Sequence, residues 1–338
     1  MILPLNLGKD SYDIVIERTA LDRIGEYLKL DRKCLILTDS GVPSKYSEAV
    51  KRASRDGYIY TIPEGEGSKS FDNYKSILSF MVENAFTRTD CVVAVGGGVC
   101  GDLGGFVAAS YMRGIDFYNV PTTLLSQLDS SIGGKVAIDL DGVKNIVGAF
   151  YQPKKVVIDP NTLKTLDQRQ KMAGLCEGIK MAACMNSQLF ELIENSTDLE
   201  SDLDEIIVEG LKIKKAVVEE DPHEKGLRRV LNFGHTIGHA IESNAGLAEL
   251  LHGECVALGS LPMASDDVRA RLENVYKKYN LPTKIDTDSD VLMSYIKRDK
   301  KAMGDSITVV FVEKIGEFQF IKMKTDEIKK YIDGGILK

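Results

Sequence analysis

The apolar positions change their period about halfway along the chain. In the first half they form short runs separated by turn residues. Residues 12–17 alternate, while 33–38, 58–62, 91–95, 116–120 and 156–159 are compact apolar runs, and each predicts a strand. Between them, 19–30, 70–84 and 99–111 recur at helical spacing, with Ser68 or Ser70 available as a cap for the second. Strands alternating with helices predict an α/β layer with a mostly parallel sheet. Past residue 161 the strand-like runs almost vanish. Stretches 168–186, 188–194, 202–220, 228–245 and 254–279 carry a 3.6-residue period, and Pro262 within the last predicts a kink. One late strand pair, 307–312 and 317–321, turns at Ile315-Gly316. The pattern predicts an α/β domain over 1–160 and an all-α domain, apart from that pair, over 161–338.

One strand ends in three glycines. Asp90-Cys-Val-Val-Ala-Val-Gly-Gly-Gly-Val-Cys-Gly-Asp102 reads as strand, tight turn and helix, and Gly96, Gly98 and Gly101 satisfy G-x-G-x-x-G. Such a turn aims backbone N–H groups and a helix N-terminus at one spot, which suits the phosphates of a nucleotide. Close packing of a helix on a strand would use the same glycines. The residues that follow hold more polar groups than a turn or a core needs: Arg113, Thr122-Thr123, Asp129-Ser-Ser-Ile-Gly-Gly-Lys135 and Lys144-Asn145. Asp39 ends the second strand, where an acidic residue contacts a ribose hydroxyl or caps the next helix. Glu66 and Lys69 read as a solvated loop pair or as ligand contacts at a strand edge.

Composition narrows the field. The 338 residues carry a net charge of -7, which excludes nucleic acid or an anionic membrane as the main partner. No apolar run approaches the roughly 20 residues of a membrane span. The N-terminus is too short and uncharged for a signal peptide. Six cysteines without C-x-x-C spacing read as buried free thiols of a reducing cytoplasm.

Three of the four histidines fall within eighteen residues. His235 and His239 stand at i and i+4 on one helical face, and His252 opens the next helical stretch. Two on one face with a third nearby point to a metal or a proton-transfer site, in which one of the pair is ligand and the other base. Glu177, on an otherwise apolar helix, is the natural carboxylate ligand; an ion pair with Lys180 is the alternative. Arg113, Lys135, Lys144, Lys180, Lys214, Arg228 and Lys300-Lys301 gather in these motif-dense stretches. As a set they point to a substrate with more than one negative charge.

From about residue 33 to 315 the chain resembles the 3-dehydroquinate synthase family of sugar phosphate cyclases. The blocks that carry the resemblance are Gly96-Gly-Gly-Val-Cys-Gly-Asp102, Tyr111-Met-Arg-Gly114, Val120-Pro-Thr-Thr-Leu-Leu125, Asp129–Lys135, Lys144-Asn145, Leu231-Asn-Phe-Gly-His-Thr-Ile-Gly-His-Ala-Ile-Glu242 and Leu251-His-Gly-Glu254. The resemblance implies a Rossmann-like N-terminal nucleotide domain and a helical C-terminal domain, the dehydroquinate synthase-like fold. It implies that Glu177, His235 and His252 bind a divalent metal, zinc or cobalt. It assigns Asp39, Glu66, Lys69, Gly97, Gly98, Asp102, Thr122 and Thr123 to NAD. Asp129, Lys135, Glu224 and His239 match catalytic positions. Arg113, Asp129, Lys135, Lys144, Asn145, Lys214, Arg228, Asn232 and Lys301 match substrate positions, with Arg113 reaching in from the partner of a homodimer. The implied substrate is a small anionic sugar phosphate, 3-deoxy-D-arabino-heptulosonate 7-phosphate (DAHP). The implied chemistry is transient oxidation at C5, phosphate loss from C7, re-reduction and aldol closure. Lys214 and Arg228 would hold the carboxylate; Lys135, Asn145 and Arg113 would hold the phosphate. The chain departs from the family's usual alanine before the ligand glutamate, and valine or alanine after it, at Cys176 and Gly178.

Overall fold

The computed structural model describes residues 1–244, 249–300 and 306–337. The chain divides into two compact units, Met1–Asp167 and Gln168–Lys338. Lys301 lies outside the described residues.

The N-terminal unit is built on nine strands: β1 (Ile2–Leu5), β2 (Tyr12–Ile16), β3 (Lys33–Asp39), β4 (Asp56–Ile62), β5 (Cys91–Gly96), β6 (Asp116–Pro121), β7 (Lys135–Leu140), β8 (Val143–Phe150) and β9 (Lys155–Ile158). Seven form one sheet in the order β1-β2-β9-β6-β5-β3-β4. Every pair is parallel except β1 with β2. The helices are α1 (Ile24–Tyr27), α2 (Ser44–Ala53), α3 (Phe71–Glu83) and α4 (Gly98–Ser110). Side chains of a strand alternate between faces, so β3 feeds two cores. Cys34 and Ile36 pack with Tyr46 and Val50 of α2, while Leu35 and Leu37 pack with Ile77 of α3 and Leu103 of α4. Helices on both faces explain why the central strands read as unbroken apolar runs. Ser70 caps α3 by accepting the Asn73 N–H.

Two segments differ from the sequence expectation. The helix expected over 19–30 is a 3₁₀ turn, Ala20–Arg23, followed by the single turn of α1. The Asp159 carboxylate takes the N–H groups of Thr19 and Leu21 and pins the segment to the sheet. The polar block after Asp129 is not all loop. It contains the antiparallel hairpin β7–β8, closed by Asp141-Gly142, both with positive φ, so that Leu140 pairs with Val143. An Asp-Gly pair between strand partners is the usual signal for such a two-residue turn.

The C-terminal unit is mostly helical: α5 (Gln168–Met185), α6 (Ser187–Asn195), α7 (Leu199–Glu220), α8 (His235–Glu242), α9 (His252–Ser260), α10 (Asp266–Lys278), α11 (Ser289–Lys300) and α12 (Ile328–Gly335). The expected strand pair is present as β10 (Ser306–Lys314) and β11 (Glu317–Lys324). Helix α5 runs unbroken through Gly178. The stretch 228–245 is interrupted at Gly234, whose φ of 79° is left-handed, leaving a 3₁₀ turn Leu227–Asn232 before α8. The kink expected at Pro262 is a full break, because Ala264 is extended and Ser265 caps a new helix. Helix α9 passes very close to its neighbours. A Cβ at Gly253 would lie 1.9 Å from the Ala173 carbonyl of α5, and one at Gly259 would lie 2.1 Å from the Gly234 carbonyl. Only glycine permits that approach. All six cysteines are buried free thiols, as expected. Among the described residues no helix is long and apolar enough to cross a membrane.

Candidate functional site

In the N-terminal unit, β3, β5 and β6 are adjacent and parallel, so their C-terminal ends share one sheet edge. Asp39 ends β3, Gly97-Gly98 follows β5 and Thr122-Thr123 follows β6. The turn is tight: a Cβ at Gly97 would sit 3.0 Å from the Thr123 methyl, and one at Gly98 would sit 3.2 Å from the Ser130 hydroxyl. Ser130 belongs to the single π-turn Ser126–Ser130, which also carries Asp129 to this end of α4. Backbone N–H groups without side-chain cover, at the start of a helix, fit a pyrophosphate. Asp39 does not cap α2. Its Oδ1 accepts the Gly41 N–H at 2.9 Å and its Oδ2 accepts the Cys100 S–H at 3.2 Å. Burial, then the Asp39 charge, pushes the Cys100 thiol well up, so it stays a donor. A cavity of about 750 Å³ opens beside Asp39, Ser40 and Gly41. These features fit a dinucleotide whose ribose meets Asp39.

Lys69 is not the solvated loop residue considered above. It is 4% exposed, with Nζ 2.6 Å from Asp102 Oδ2, 3.6 Å from Glu66 Oε1 and in contact with Asn145 Oδ1. Burial pushes Asp102 up to about 6, with the Lys69 charge pulling it back. Burial works to lower Lys69, but Asp102 and Glu66 outweigh it and hold the ammonium above its ordinary value. One cation thus joins Glu66, Asp102 and Asn145.

Other expected residues do not converge. Lys135 pairs with Phe150 at one end of the hairpin, while Asn145 sits beside Asp139 at the other. From Lys135 to Asp139 is four strand positions, about 13 Å. This conformation therefore does not bring Lys135 and Asn145 onto a single phosphate. Lys144 is exposed next to Asn145. Arg113 follows the C-terminal end of α4, about 20 Å from the glycine turn at 1.5 Å per residue over thirteen residues. Its φ of 70°, between Met112 at 48° and Gly114 at 116°, makes a run of left-handed backbone.

In the C-terminal unit, α5, α8 and α9 bring three ligand types together. Glu177 is 1% exposed, and its Oε1 lies 3.9 Å from His235 Nε2 and 3.7 Å from His252 Nε2. One donor atom from each of the three falls within 4.8 Å of the others. Lys180 Nζ touches Glu177 Oε2 but donates to the Leu231 carbonyl at 2.6 Å, and neither Glu177 oxygen receives a hydrogen bond. A buried carboxylate left in that state calls for a cation. Two imidazoles and a carboxylate are the donor set of a three-ligand zinc centre, and the residues fit that ion. Burial, then the Lys180 charge, holds His235 well below its ordinary value and therefore neutral, as a ligand must be. His252 is raised: burial acts against it, but the Glu242 hydrogen bond and the Glu177 charge prevail. The ion pair of Glu177 with Lys180 and the three-ligand cluster thus coexist. The His239 ring lies 5.1 Å from that of His235 and 6.0 Å from that of His252, on the exposed side.

Lys214 of α7 and Arg228 are both buried. The Asp221 carboxylate folds the loop before Arg228 by accepting the N–H groups of Lys225, Gly226 and Arg228. Burial raises its pKa, but those N–H groups carry it below the ordinary value. Arg228 Nη1 donates to the Pro222 carbonyl at 2.7 Å. Glu224, at a φ of 58°, accepts from Asn232 Nδ2 at 2.7 Å. The sequence offered Lys180 as an ion-pair partner of Glu177 or one of the basic set, and gave Glu242 no role. The signals were a lysine at i+3 from Glu177 and a glutamate at i+7 from His235, each on the ligand's own helix face.

Comparison with known proteins agrees in both halves. Residues 59–173 match the family profile described as 3-dehydroquinate synthase N-terminal, and residues 174–302 the one described as 3-dehydroquinate synthase C-terminal. The 3-dehydroquinate synthase of Enterococcus faecalis (strain ATCC 47077 / OG1RF) is 41% identical over a 358-position alignment, covering 99% of this chain and 100% of the relative. The fold is similar to 2-deoxy-scyllo-inosose synthase complexed with carbaglucose-6-phosphate, NAD+ and Co2+. That match has a TM-score of 0.89 and 25% identity over 99% of this chain and 100% of the other. It is also similar to ValA, the 2-epi-5-epi-valiolone synthase of Streptomyces hygroscopicus subsp. jinggangensis 5008, with NAD+ and Zn2+ bound. There the TM-score is 0.86 and the identity 25%, over 97% of each chain.

Proposed function

Because the chain belongs to the 3-dehydroquinate synthase family, we propose that it converts DAHP to 3-dehydroquinate and phosphate, a carbon–oxygen lyase reaction of the shikimate pathway in aromatic amino acid biosynthesis. The observation that carries this reading is the buried Glu177 carboxylate, without a hydrogen bond, facing the Nε2 atoms of His235 and His252. In this reading residues 1–160 are the NAD-binding domain and supply the side chains for the phosphate, and 161–338 hold the metal and the substrate carboxylate.

When bound, NAD supplies reversible hydride acceptance at C5, and a zinc or cobalt ion held by Glu177, His235 and His252 supplies polarisation of the oxygen there. The side chains do the rest. The Asp129 carboxylate and the His239 imidazole take and return the C5 hydroxyl proton. Buried Lys214 and Arg228 hold the substrate carboxylate, with little side-chain freedom left to lose. Lys135 serves the phosphate, one of whose own oxygens accepts the C6 proton, and Lys144 and Asn145 are assigned to it only once hairpin β7–β8 leaves the conformation described above. The C6–H electrons become the C6–C7 double bond as the C7–O bond breaks. Glu224 orients Asn232 toward substrate through their hydrogen bond. Arg113 is assigned to the site of a second copy in a homodimer, for α4 carries it away from its own glycine turn. Exposed Met112, and Phe150 next to the Tyr151 that packs on Gly114, supply apolar surface for that copy to cover. Six free thiols accord with a reducing cytoplasm.

The test is a reaction of enzyme, DAHP and substoichiometric NAD, followed for free phosphate and for absorbance of the reduced cofactor. The expected result is many equivalents of phosphate per NAD with no lasting reduced-cofactor signal. Steady accumulation of reduced cofactor without phosphate would leave a metal-dependent polyol dehydrogenase of the glycerol type. Phosphate release from another sugar phosphate, with DAHP inert, would leave a different sugar phosphate cyclase.

A further inference from the structure

We infer that Glu242 is a positioning residue for the metal centre, acting through His252. This rests on the metal reading above. His252 has a carboxylate on each side of its ring: Nδ1 is 3.1 Å from Glu242 Oε2, while Nε2 faces Glu177 Oε1. A carboxylate can only accept, so Nδ1 carries the hydrogen and Nε2, on the Glu177 side, is the nitrogen left to bind a metal. His235 is set in the same way by a different group, since its Nδ1 meets the Phe233 carbonyl at 3.2 Å and its Nε2 faces Glu177. Both rings thus present the same nitrogen to one buried carboxylate. One is oriented by a carbonyl of its own segment and the other by a charged side chain from another helix.

The backbone explains how this is achieved. His235, His239 and Glu242 stand at i, i+4 and i+7 of α8, on one face. Helix α9 begins at His252, and its glycines let it lie against α5 and the start of α8. One helix therefore delivers a ligand at its first turn and a positioning carboxylate at its last. A hydrogen bond from a ligating histidine to a carboxylate fixes tautomer and orientation and raises ligand basicity.

A second donor set shares His252: His239, Glu242 and His252 also bring three ligand atoms within 4.8 Å of one another. There Glu242 would be a ligand and not an orienting group. Burial favours the Glu177 set, because Glu177 is 1% exposed without a hydrogen bond, whereas His239 is exposed.

The experiment uses the full chain stripped of metal, as wild type, Glu242→Gln, Glu242→Ala and Glu177→Ala. Zinc and cobalt affinities are measured by competition with a chromophoric chelator, and the melting temperature of each metal-free protein is recorded. The expected result is a roughly 10–100-fold weaker affinity in Glu242→Ala. Glu242→Gln should be intermediate, because its amide oxygen still accepts the Nδ1 hydrogen without the charge. Metal-free melting of Glu242→Gln should be unchanged, which separates positioning from mere packing. Unchanged affinity in Glu242→Ala, with binding lost in Glu177→Ala, would overturn the role of Glu242 and leave the metal centre standing. Binding retained in Glu177→Ala but lost in Glu242→Ala would move the ion to the His239 set and overturn both.

Discussion

Lys69, in the loop before α3, and Glu177, in the middle of α5, are both buried charges, one in each unit, and their surroundings differ. Lys69 is met by Asp102, Glu66 and Asn145 from three separate segments. Its charge is compensated by the chain itself. Glu177 touches one lysine, which also donates to a carbonyl, and faces His235, held neutral, and His252, held above its ordinary value, with no hydrogen bond to either oxygen. Burying a charge is costly unless it is paired and hydrogen-bonded. The edge around Lys69 is therefore finished by protein groups, and a nucleotide proposed there would add to a structure already balanced. The three-ligand cluster has Lys180 as a charge partner but no hydrogen bond to Glu177, and a metal ion would complete it. The contrast predicts different responses to mutation in the two units.

The largest effect is expected at the unbalanced cluster. Glu177→Ala should abolish metal binding and lower kcat by about 10³-fold or more, because Lewis-acid polarisation supplies several kcal/mol at about 1.4 kcal/mol per tenfold. Activity within tenfold of wild type, with metal content measured alongside, would erase the distinction between the two sites. The next effect is on stability. Gly253→Ala puts a methyl on the Ala173 carbonyl, which is backbone and cannot swing away, and should cost about 3 kcal/mol in urea unfolding. Gly97→Ala meets only the Thr123 methyl, and should cost about 1 kcal/mol while weakening NAD. Equal losses would mean that the glycine turn is as rigid as the helix crossing.

A smaller effect is expected at the balanced cluster. Lys69→Met should raise KM for NAD by about tenfold with kcat nearly unchanged, the pattern of lost uniform binding. The sign of its pH dependence follows from Asp102. Burial holds that carboxyl near 6, above the ordinary value, and Lys69 pulls it down. Without Lys69 it moves higher and takes a proton nearer neutrality, so the KM profile should shift to alkaline pH. An acid shift would reverse the assigned roles of burial and charge. The smallest effect belongs to the proposed dimer. Mixing inactive Arg113→Ala and Lys135→Ala chains should restore about a quarter of the sites, since half of randomly exchanged dimers are mixed and each regains one site. No recovery with exchange demonstrated would return Arg113 to its own chain.

Much of this was legible in the sequence because it is local. Strand runs, the glycine turn and the spacing of His235, His239 and His252 depend on period and on residues a few positions apart. The same locality misled where a distant group intervened. Residues 19–30 have a helical period, yet with Thr19 and Leu21 held by Asp159 the segment forms only a 3₁₀ turn and one α-helical turn. Lys69 looked like a loop lysine, because nothing near it in sequence announces Asp102 and Asn145. The hairpin β7–β8 was not read from the sequence, although apolar runs flank Asp141-Gly142, which marks its turn.

The sequence by itself determined which side chains could do chemistry and where the chain turns, since both follow from residue type and short spacing. Tertiary structure decided which of those side chains are charged, neutral or left unsatisfied. Glu177 is a helix residue in sequence; it becomes a site only when α8 and α9 seal it from water behind two imidazoles. Likewise, Glu242 and Glu177 are both carboxylates near His252. Which nitrogen each one meets depends on how closely α9 approaches α5 and α8, and two glycines, Gly253 and Gly259, set that distance. Desolvation and ring orientation are properties of the packed chain, and no local spacing encodes them.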